Sequence, residues 1–460
     1  MDIVPPGDVL SITPVGTAAS PDNEADQMFP PELIQLILEF LRHDLGTLKR
    51  TSLVCTQWLP ISRTYLFDHI YLSAPRPAPR RRRTDCSALY EVLSEAPHIA
   101  LYIRHVTILS GAVRRPSIRT ISSELRWITS DETLPALLDI FAKSDAGRVQ
   151  SLHIRLSGES WDELPVPLRT SIRSLINSPS LLDVDLTGFD VIDWTIFERS
   201  PNLRRVKLSE IFNAGPASQR RNADLVPKAG SWPARCESLT VLDTGHVASV
   251  ISWVIDTPSF GSLRELRLGF HPSQDVPHVE ALLRHISGTL ESLHLQPIYN
   301  HPWPVPAHFI DISSLRALTS LRLSLGLSVE SNPFPWVIFL LNTLGPIRIT
   351  HLTIDLRVNQ NRIREQDVLV FPWDDLDASI NQPHLAGLRS LVFTCFAYQS
   401  QPSHSEAIAD WLKERFARLL PRSRARDVFE AYELKLPPSR FFYWPGPLTW
   451  SDSLGAADTA

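Results

Sequence analysis

Between residues 103 and 393 the chain returns ten times to one six-residue pattern, apolar-x-x-apolar-x-apolar. The windows are Ile103–Ile108, Val149–Ile154, Leu181–Leu186, Leu203–Leu208 and Leu239–Thr244, the last with Thr244 in the sixth, otherwise apolar place. They continue with Leu263–Leu268, Leu290–Leu295, Leu318–Leu323, Ile349–Ile354 and Leu388–Phe393. The second, third and fifth positions played no part in choosing the windows. Of those 30 only Leu182, Val241 and Val392 are apolar, against about 13 expected from a 43% hydrophobic composition. Polar and apolar residues therefore alternate, and each window predicts a short strand with one buried face.

Helix-period segments lie between the windows: residues 134–143, 168–177, 247–256, 279–287 and 336–344. Several windows are entered through a small residue or proline, as in Ser178-Pro179-Ser180-Leu181 and Ser200-Pro201-Asn202-Leu203. Proline there stops a helix and forces an extended lead-in. A helix–turn–strand unit with one apolar edge closes no core alone, so neighbouring units must stack.

The repeated L-x-x-L-x-L resembles the opening of the leucine-rich-repeat signature. The resemblance implies an irregular solenoid, a curved parallel sheet with helices on its outer face. Two departures qualify it. Successive windows are 22 to 46 residues apart, and Phe189, Ile211, His271 and Ile298 stand where the family places Asn or Cys. The competing fold is a doubly wound α/β sheet, although no glycine-rich phosphate turn follows any window.

A different pattern occupies residues 29–72. Pro30 and Pro31 suit the first turn of a helix, and Glu32 suits its positive end. Leu33, Ile37, Phe40 and Leu41 recur at helical spacing, with Ile34 and Leu38 on a second apolar flank. A helix apolar over that much of its girth needs cover on more than one side. Leu48, Leu53, Val54 and Cys55 predict a short second helix. Pro60 opens a third, with Ile61, Tyr65, Leu66 and Ile70 on its apolar face. Three short helices in so few residues sit near the lower limit for a self-sufficient core.

This segment resembles the F-box family. Phe29-Pro30-Pro31-Glu32-Leu33 parallels the family's Leu-Pro-x-Glu-Leu opening. Leu53-Val54-Cys55-Thr56-Gln57-Trp58 parallels its middle signature, and Leu66-Phe67 its closing apolar-aromatic pair. The resemblance implies docking to the Skp-type linker protein of a cullin–RING (SCF) ubiquitin ligase. On that basis Phe29, Pro30, Leu33, Ile37, Leu41, Leu45, Leu48 and Val54 are expected to present the docking surface, while Trp58 and Leu66 close the small core.

Composition narrows the remaining classes. A net charge of −5 with an isoelectric point near 6.3 gives no global footprint for nucleic acid or an acidic membrane. No apolar run is long enough to span a bilayer, and the N-terminus lacks the basic start and apolar core of a secretory signal. Cys55, Cys86, Cys236 and Cys395 form no CxxC pair, so neutral, buried thiols are expected rather than a metal site. No HExxH, P-loop, GxSxG or GxGxxG occurs, and the 15 histidines are scattered. Catalysis, cofactor and metal are therefore not expected.

On a repeat sheet the third, fifth and seventh window positions face outward. They include Arg155, Asp183, Asp185, Arg205 and Lys207, with Asp243, Glu265, Arg267, His294, Arg322 and Asp355 further along. Opposite charges alternate there, so much of the surface is expected to satisfy itself. Arg155, Asp183, Asp185, Arg205, Lys207 and Trp444 of the aromatic tail are the candidate target contacts.

The expected map is a disordered leader at 1–28, the helical module at 29–72 and a Pro/Arg-rich linker at 73–88. A repeat solenoid at 89–434, with an amphipathic helix at 406–420, and an aromatic tail at 435–460 complete it. The four arginines Arg80 to Arg83 are taken as solvated linker rather than an import signal. Together the two resemblances imply a non-catalytic, cytoplasmic or nuclear substrate receptor of an SCF ligase, with the linker, a cullin and an unidentified protein target as partners. The alternative is a repeat scaffold outside any ligase, using the helical module as a cap.

Overall fold

The computed structural model describes residues 30–42, 44–73, 85–110, 127–143, 148–197, 199–211, 235–298, 310–327, 332–345, 348–359, 371–398, 415, 418–426 and 429–435. Phe29, Arg80 to Arg83, Trp444, the 1–28 leader and nearly all of the predicted 406–420 helix lie outside those residues. The chain divides into two compact units after Asp68.

The first unit has three helices: α1 (Pro31–Phe40), α2 (Leu45–Thr51) and α3 (Trp58–Phe67). Pro30 is extended, with φ −58° and ψ 141°, and its carbonyl accepts from the Leu33 and Ile34 amides. Asp44 caps α2, accepting from the Thr47 amide at 3.0 Å and the Thr47 hydroxyl at 2.6 Å. That cap starts α2 at Leu45, three residues before the Leu48 from which the sequence predicted it, and α2 stops at Thr51. Leu53, Val54 and Cys55 thus follow the helix instead of continuing it. Pro60 falls in the first turn of α3, where its missing N–H costs nothing.

The second unit is built on one sheet. Its strands are β1 (His69–Ser73), β2 (His105–Leu109), β3 (Ser151–Glu159), β4 (Asp183–Phe189), β5 (Arg205–Ser209) and β6 (Ser238–Leu242). β7 (Glu265–Phe270), β8 (Ser292–Pro297), β9 (Ser320–Leu327), β10 (His351–Asn359), β11 (Ser390–Tyr398) and β12 (Phe429–Lys435) follow. Strand order across the sheet equals order in the chain, and every pairing is parallel. A doubly wound sheet reverses direction at a switch point; this one never does. Crossovers of one hand then keep the connecting helices on one face. Ile70, expected on the third helix, belongs to β1 and pairs with Val106.

Each window's third residue opens its strand, and its first, fourth and sixth side chains are buried, as at Val149, Leu152 and Ile154. The exception corrects the sequence reading. β6 begins at Ser238, so the first position of that repeat is Cys236, not Leu239. Cys236 is buried in the place that Leu203 and Leu263 hold in the flanking repeats. Asp243, expected to face outward from the strand, lies just past its end with a left-handed φ of 49°.

A backbone ladder runs along the entering edge of the sheet. The carbonyl of the second window residue accepts two amides of the next repeat. Gln150 receives Leu182 and Asp183, Leu182 receives Arg204 and Arg205, and Arg204 receives Glu237 and Ser238. The same pattern recurs at Glu237, Arg264, Glu291, Thr319 and Thr350. Main-chain groups thereby register successive repeats without the asparagine that the windows lack.

The helices α4 (Asp85–Glu95), α5 (Thr133–Lys143), α6 (Val166–Ile176), α7 (Val247–Asp256), α8 (Val276–His285), α9 (Phe334–Asn342) and α10 (Trp373–Ile380) fill the longer connections. The shortest connection, between β4 and β5, carries only a 3-10 turn at Trp194–Phe197. Trp253 of α7 stacks on Trp194 with ring centroids 4.9 Å apart, adding aromatic volume beside the smaller turn. One glycine is sterically fixed. Gly188 has φ +76°, and a Cβ there would lie 2.1 Å from the Leu156 carbonyl oxygen, where β3 and β4 shift register.

Candidate functional site

Helix α1 carries two apolar faces. Ile34 and Leu38 point inward and form a fully buried core with Leu48, against which Leu41, Trp58, Ile61, Tyr65 and Leu66 pack. Leu33, Leu36, Ile37 and Phe40 occupy the other face, at a helical spacing that lines them up in one stripe, and all four are exposed. Leu45, Leu53 and Val54 are exposed as well. Among the described residues the exposed large hydrophobic side chains number twelve, and seven fall between Leu33 and Val54. Single exposed leucines are ordinary, whereas a concentration of this kind marks an interaction surface.

The expected docking residues sort unequally. Leu33, Ile37, Leu45 and Val54 are exposed, Pro30 is exposed at the helix entry, and Leu41 is half-buried against the core. Leu48 is a correction: it is a central core residue with no exposed surface. The Asp44 cap orients α2 so that Leu48 turns toward Ile34 and Leu38. Leu36, Phe40 and Leu53 join the exposed set. Their apolar character was visible in the sequence, but the direction each faced depends on how three helices pack.

On the sheet, the outward row falls into two regions. Around β3 to β5 the charges pair with one another. Arg205 grips Asp183 through two nitrogens, Lys207 lies 2.7 Å from Asp185, and His153 approaches the same carboxylate at 3.5 Å. Burial alone would raise the Asp185 pKa; His153 and Lys207 outweigh it and hold the carboxyl below its ordinary value. Arg155 lies 3.9 Å from Glu210. Four of the candidate target contacts thus serve one another, as the alternation of charge suggested.

Around β7 to β10 the row is more deeply buried and richer in positive charge. Arg322 makes two bonds to Asp355, at 2.7 and 3.2 Å. Ser324 donates to Asp355 at 2.6 Å and lies 2.7 Å from His294 Nε2. With the serine hydrogen committed to the carboxylate, His294 donates through Nε2, which fixes its tautomer. His294, Ser324 and Asp355 are all buried. Burial first, then the Arg267, Arg322 and Arg357 guanidiniums, push the His294 pKa well below its ordinary value, so the ring is neutral. Arg357 was absent from the sequence expectation because it stands at a ninth position, beyond the six-residue window.

Among the described residues no three His, Cys, Asp or Glu side chains gather where they could hold a metal ion. Cys86 and Cys236 are buried thiols whose pKa burial pushes up to about 12, whereas Cys55 is exposed. No described helix is long and apolar enough to cross a membrane. Comparison with known proteins finds no family model that matches the chain and no matching curated protein.

Proposed function

We propose that the chain is the substrate-recognition subunit of an SCF ubiquitin ligase, an F-box module joined to a leucine-rich-repeat-like body. The observation that carries this reading is the two-faced helix α1. Its inner face already has a core in Ile34, Leu38 and Leu48, so the exposed Leu33, Leu36, Ile37 and Phe40 serve some other contact. An apolar stripe at helical spacing is what a helix-in-groove partner takes up. The motif resemblance names that partner as a Skp-type linker. The sequential parallel sheet supports the repeat reading. Its role in the ligase is proximity: it holds a protein target near a ubiquitin-charged enzyme carried by other subunits.

Co-purification from cells tests the proposal. Wild-type chain should recover a Skp-type linker and a cullin, and Pro30→Ala combined with Leu33→Asp should abolish both. Recovery of the linker but never of a cullin would favour the alternative, a repeat scaffold working outside any ligase.

A further inference from the structure

The turn between α2 and α3 carries a charge pattern that the docking surface does not use. Lys49 and Arg50 lie in the last turn of α2 and are exposed, and Ser52 follows as the helix C-cap. Residues 52–57 belong to no helix or strand, and Leu53 to Gln57 are all exposed, Leu53 at 84%. The Ser52 hydroxyl, in an exposed setting, donates to the Lys49 carbonyl at 2.7 Å. Thr51 beside it is turned inward: its hydroxyl donates to the Leu48 carbonyl at 2.9 Å and lies 3.4 Å from that of the fully buried Ser62. Of the two adjacent hydroxyls, Ser52 is the one within reach of another protein.

These features suit Ser52 to phosphoryl transfer by a protein kinase. Cations stand two and three places before it, and apolar Leu53 directly follows. A kinase with an acidic substrate groove reads such a pattern by charge. The turn is tied to α2 by local bonds, from the Leu53 amide to the Arg50 carbonyl and from the Val54 amide to the Thr51 carbonyl, each 3.1 Å. A short exposed segment of this kind opens at far less than the cost of global unfolding. Ser52 Oγ then attacks the γ-phosphorus of a nucleoside triphosphate held by the kinase. The Oγ–P bond forms as the bond to the β,γ-bridging oxygen breaks, the diphosphate leaves, and the hydroxyl proton passes to the kinase's catalytic aspartate.

We propose that Ser52 is a phosphorylation site for a kinase that selects basic residues, and that its phosphate closes the neighbouring apolar surface to the linker. The second half rests on the docking reading given above. Phosphorylation brings roughly 1.5 to 2 negative charges to the C-terminus of α2, where the helix carbonyls already concentrate negative charge. Esterification also removes the hydrogen that Ser52 donates to Lys49. The phosphate stands one and two residues before the exposed Leu53 and Val54, so covering that surface requires stripping water from a dianion. Lys49 and Arg50 pair with it only weakly, because both are exposed.

Arg114-Arg115-Pro116-Ser117 repeats the charge pattern outside the described residues, so the test uses the full-length Ser117→Ala protein. The protein is treated with cyclic-AMP-dependent protein kinase and ATP, and mass spectrometry of the digest locates the phosphate. Isothermal titration of a purified Skp-type linker into the treated and untreated forms measures docking, and circular dichroism follows their fold. Phosphate on Ser52 is expected, and it should be lost when Lys49→Ala and Arg50→Ala are added. Linker affinity should fall about tenfold or more on phosphorylation, whereas added Ser52→Ala should keep the untreated affinity after the same treatment. No phosphate on Ser52, unchanged affinity of the phosphorylated protein, an equal loss in the Ser52→Ala protein, or unfolding on phosphorylation overturns the proposal. Absence of linker binding to the untreated protein marks instead the failure of the docking reading, and the switch built on it falls with it.

Discussion

Leu33 and Ile34 are adjacent in sequence and opposite in environment: Ile34 has no exposed surface, whereas Leu33 is 47% exposed. The same divide separates Leu38 from Ile37 one turn later. The small helical unit therefore uses half of its apolar helix for its own core and offers the other half outward.

That division predicts two kinds of substitution. Leu38→Ala removes buried volume from a three-residue core and should cost about 2–5 kcal/mol. Phe40→Ala, on an exposed side chain, should change stability by no more than about 0.5 kcal/mol. Urea unfolding followed by circular dichroism distinguishes them. A large loss from Phe40→Ala would mean that its ring is packed and not available to a partner.

The two carboxylate–arginine pairs on the sheet should also differ. Asp355 is fully buried beneath Arg322, and Asp355→Ala leaves the part-buried Arg322 guanidinium without the carboxylate it grips through two bonds. A loss of about 3–5 kcal/mol is expected. Arg205 is 66% exposed, so Asp183→Ala should cost at most about 1 kcal/mol. Denaturant midpoints of the two variants measure the contrast, and equal losses would contradict it.

Two histidines make stability fall in mild acid. Burial, then the His105 and His153 rings, lower the His69 pKa to about 4, and His294 is lowered well below its ordinary value. Between an unfolded pKa near 6.5 and the folded value, the unfolded chain binds more protons than the folded one. Stability is therefore highest above pH 6.5, and it declines as pH falls toward 4. Imidazole resonances followed by NMR should show both rings neutral at pH 5.5, whereas ordinary midpoints near 6.5 would refute the assignment.

Thiol chemistry gives a further readout. Iodoacetamide at pH 8 should label Cys55 in the native protein, while Cys86 and Cys236 react only on unfolding. Mass spectrometry of the digested protein locates the label. Native labelling of Cys236 would mean that the first position of its repeat is open to solvent.

Much of the sheet was legible because alternation at period two and helices at period 3.6 leave different marks. Residues 247–256 form a helix over the expected span, and nine windows have the right register. β6 was displaced by three residues because a cysteine fills the leucine place, and Leu239, Val241 and Leu242 form a second apolar series. β1 escaped because His-Ile-Tyr-Leu-Ser directly follows a helix whose apolar spacing it extends by one more residue. The arginine cluster was half visible. Arg267, His294, Arg322 and Asp355 were placed on one face, but the meeting of Arg357 with them depends on strand register and burial. Which leucine of the helical unit faces outward was least legible, because a helix apolar on both sides gives no sign of which side the core occupies.

The central claim is that the exposed stripe of α1 docks a Skp-type linker. Isothermal titration of a purified Skp-type protein into the full-length chain tests it most directly, with Phe40→Asp and Leu38→Met compared with wild type. The account predicts saturable binding to wild type and to the core variant, and loss of binding in a folded Phe40→Asp protein. Absence of binding to wild type, or undiminished binding to Phe40→Asp, would contradict it.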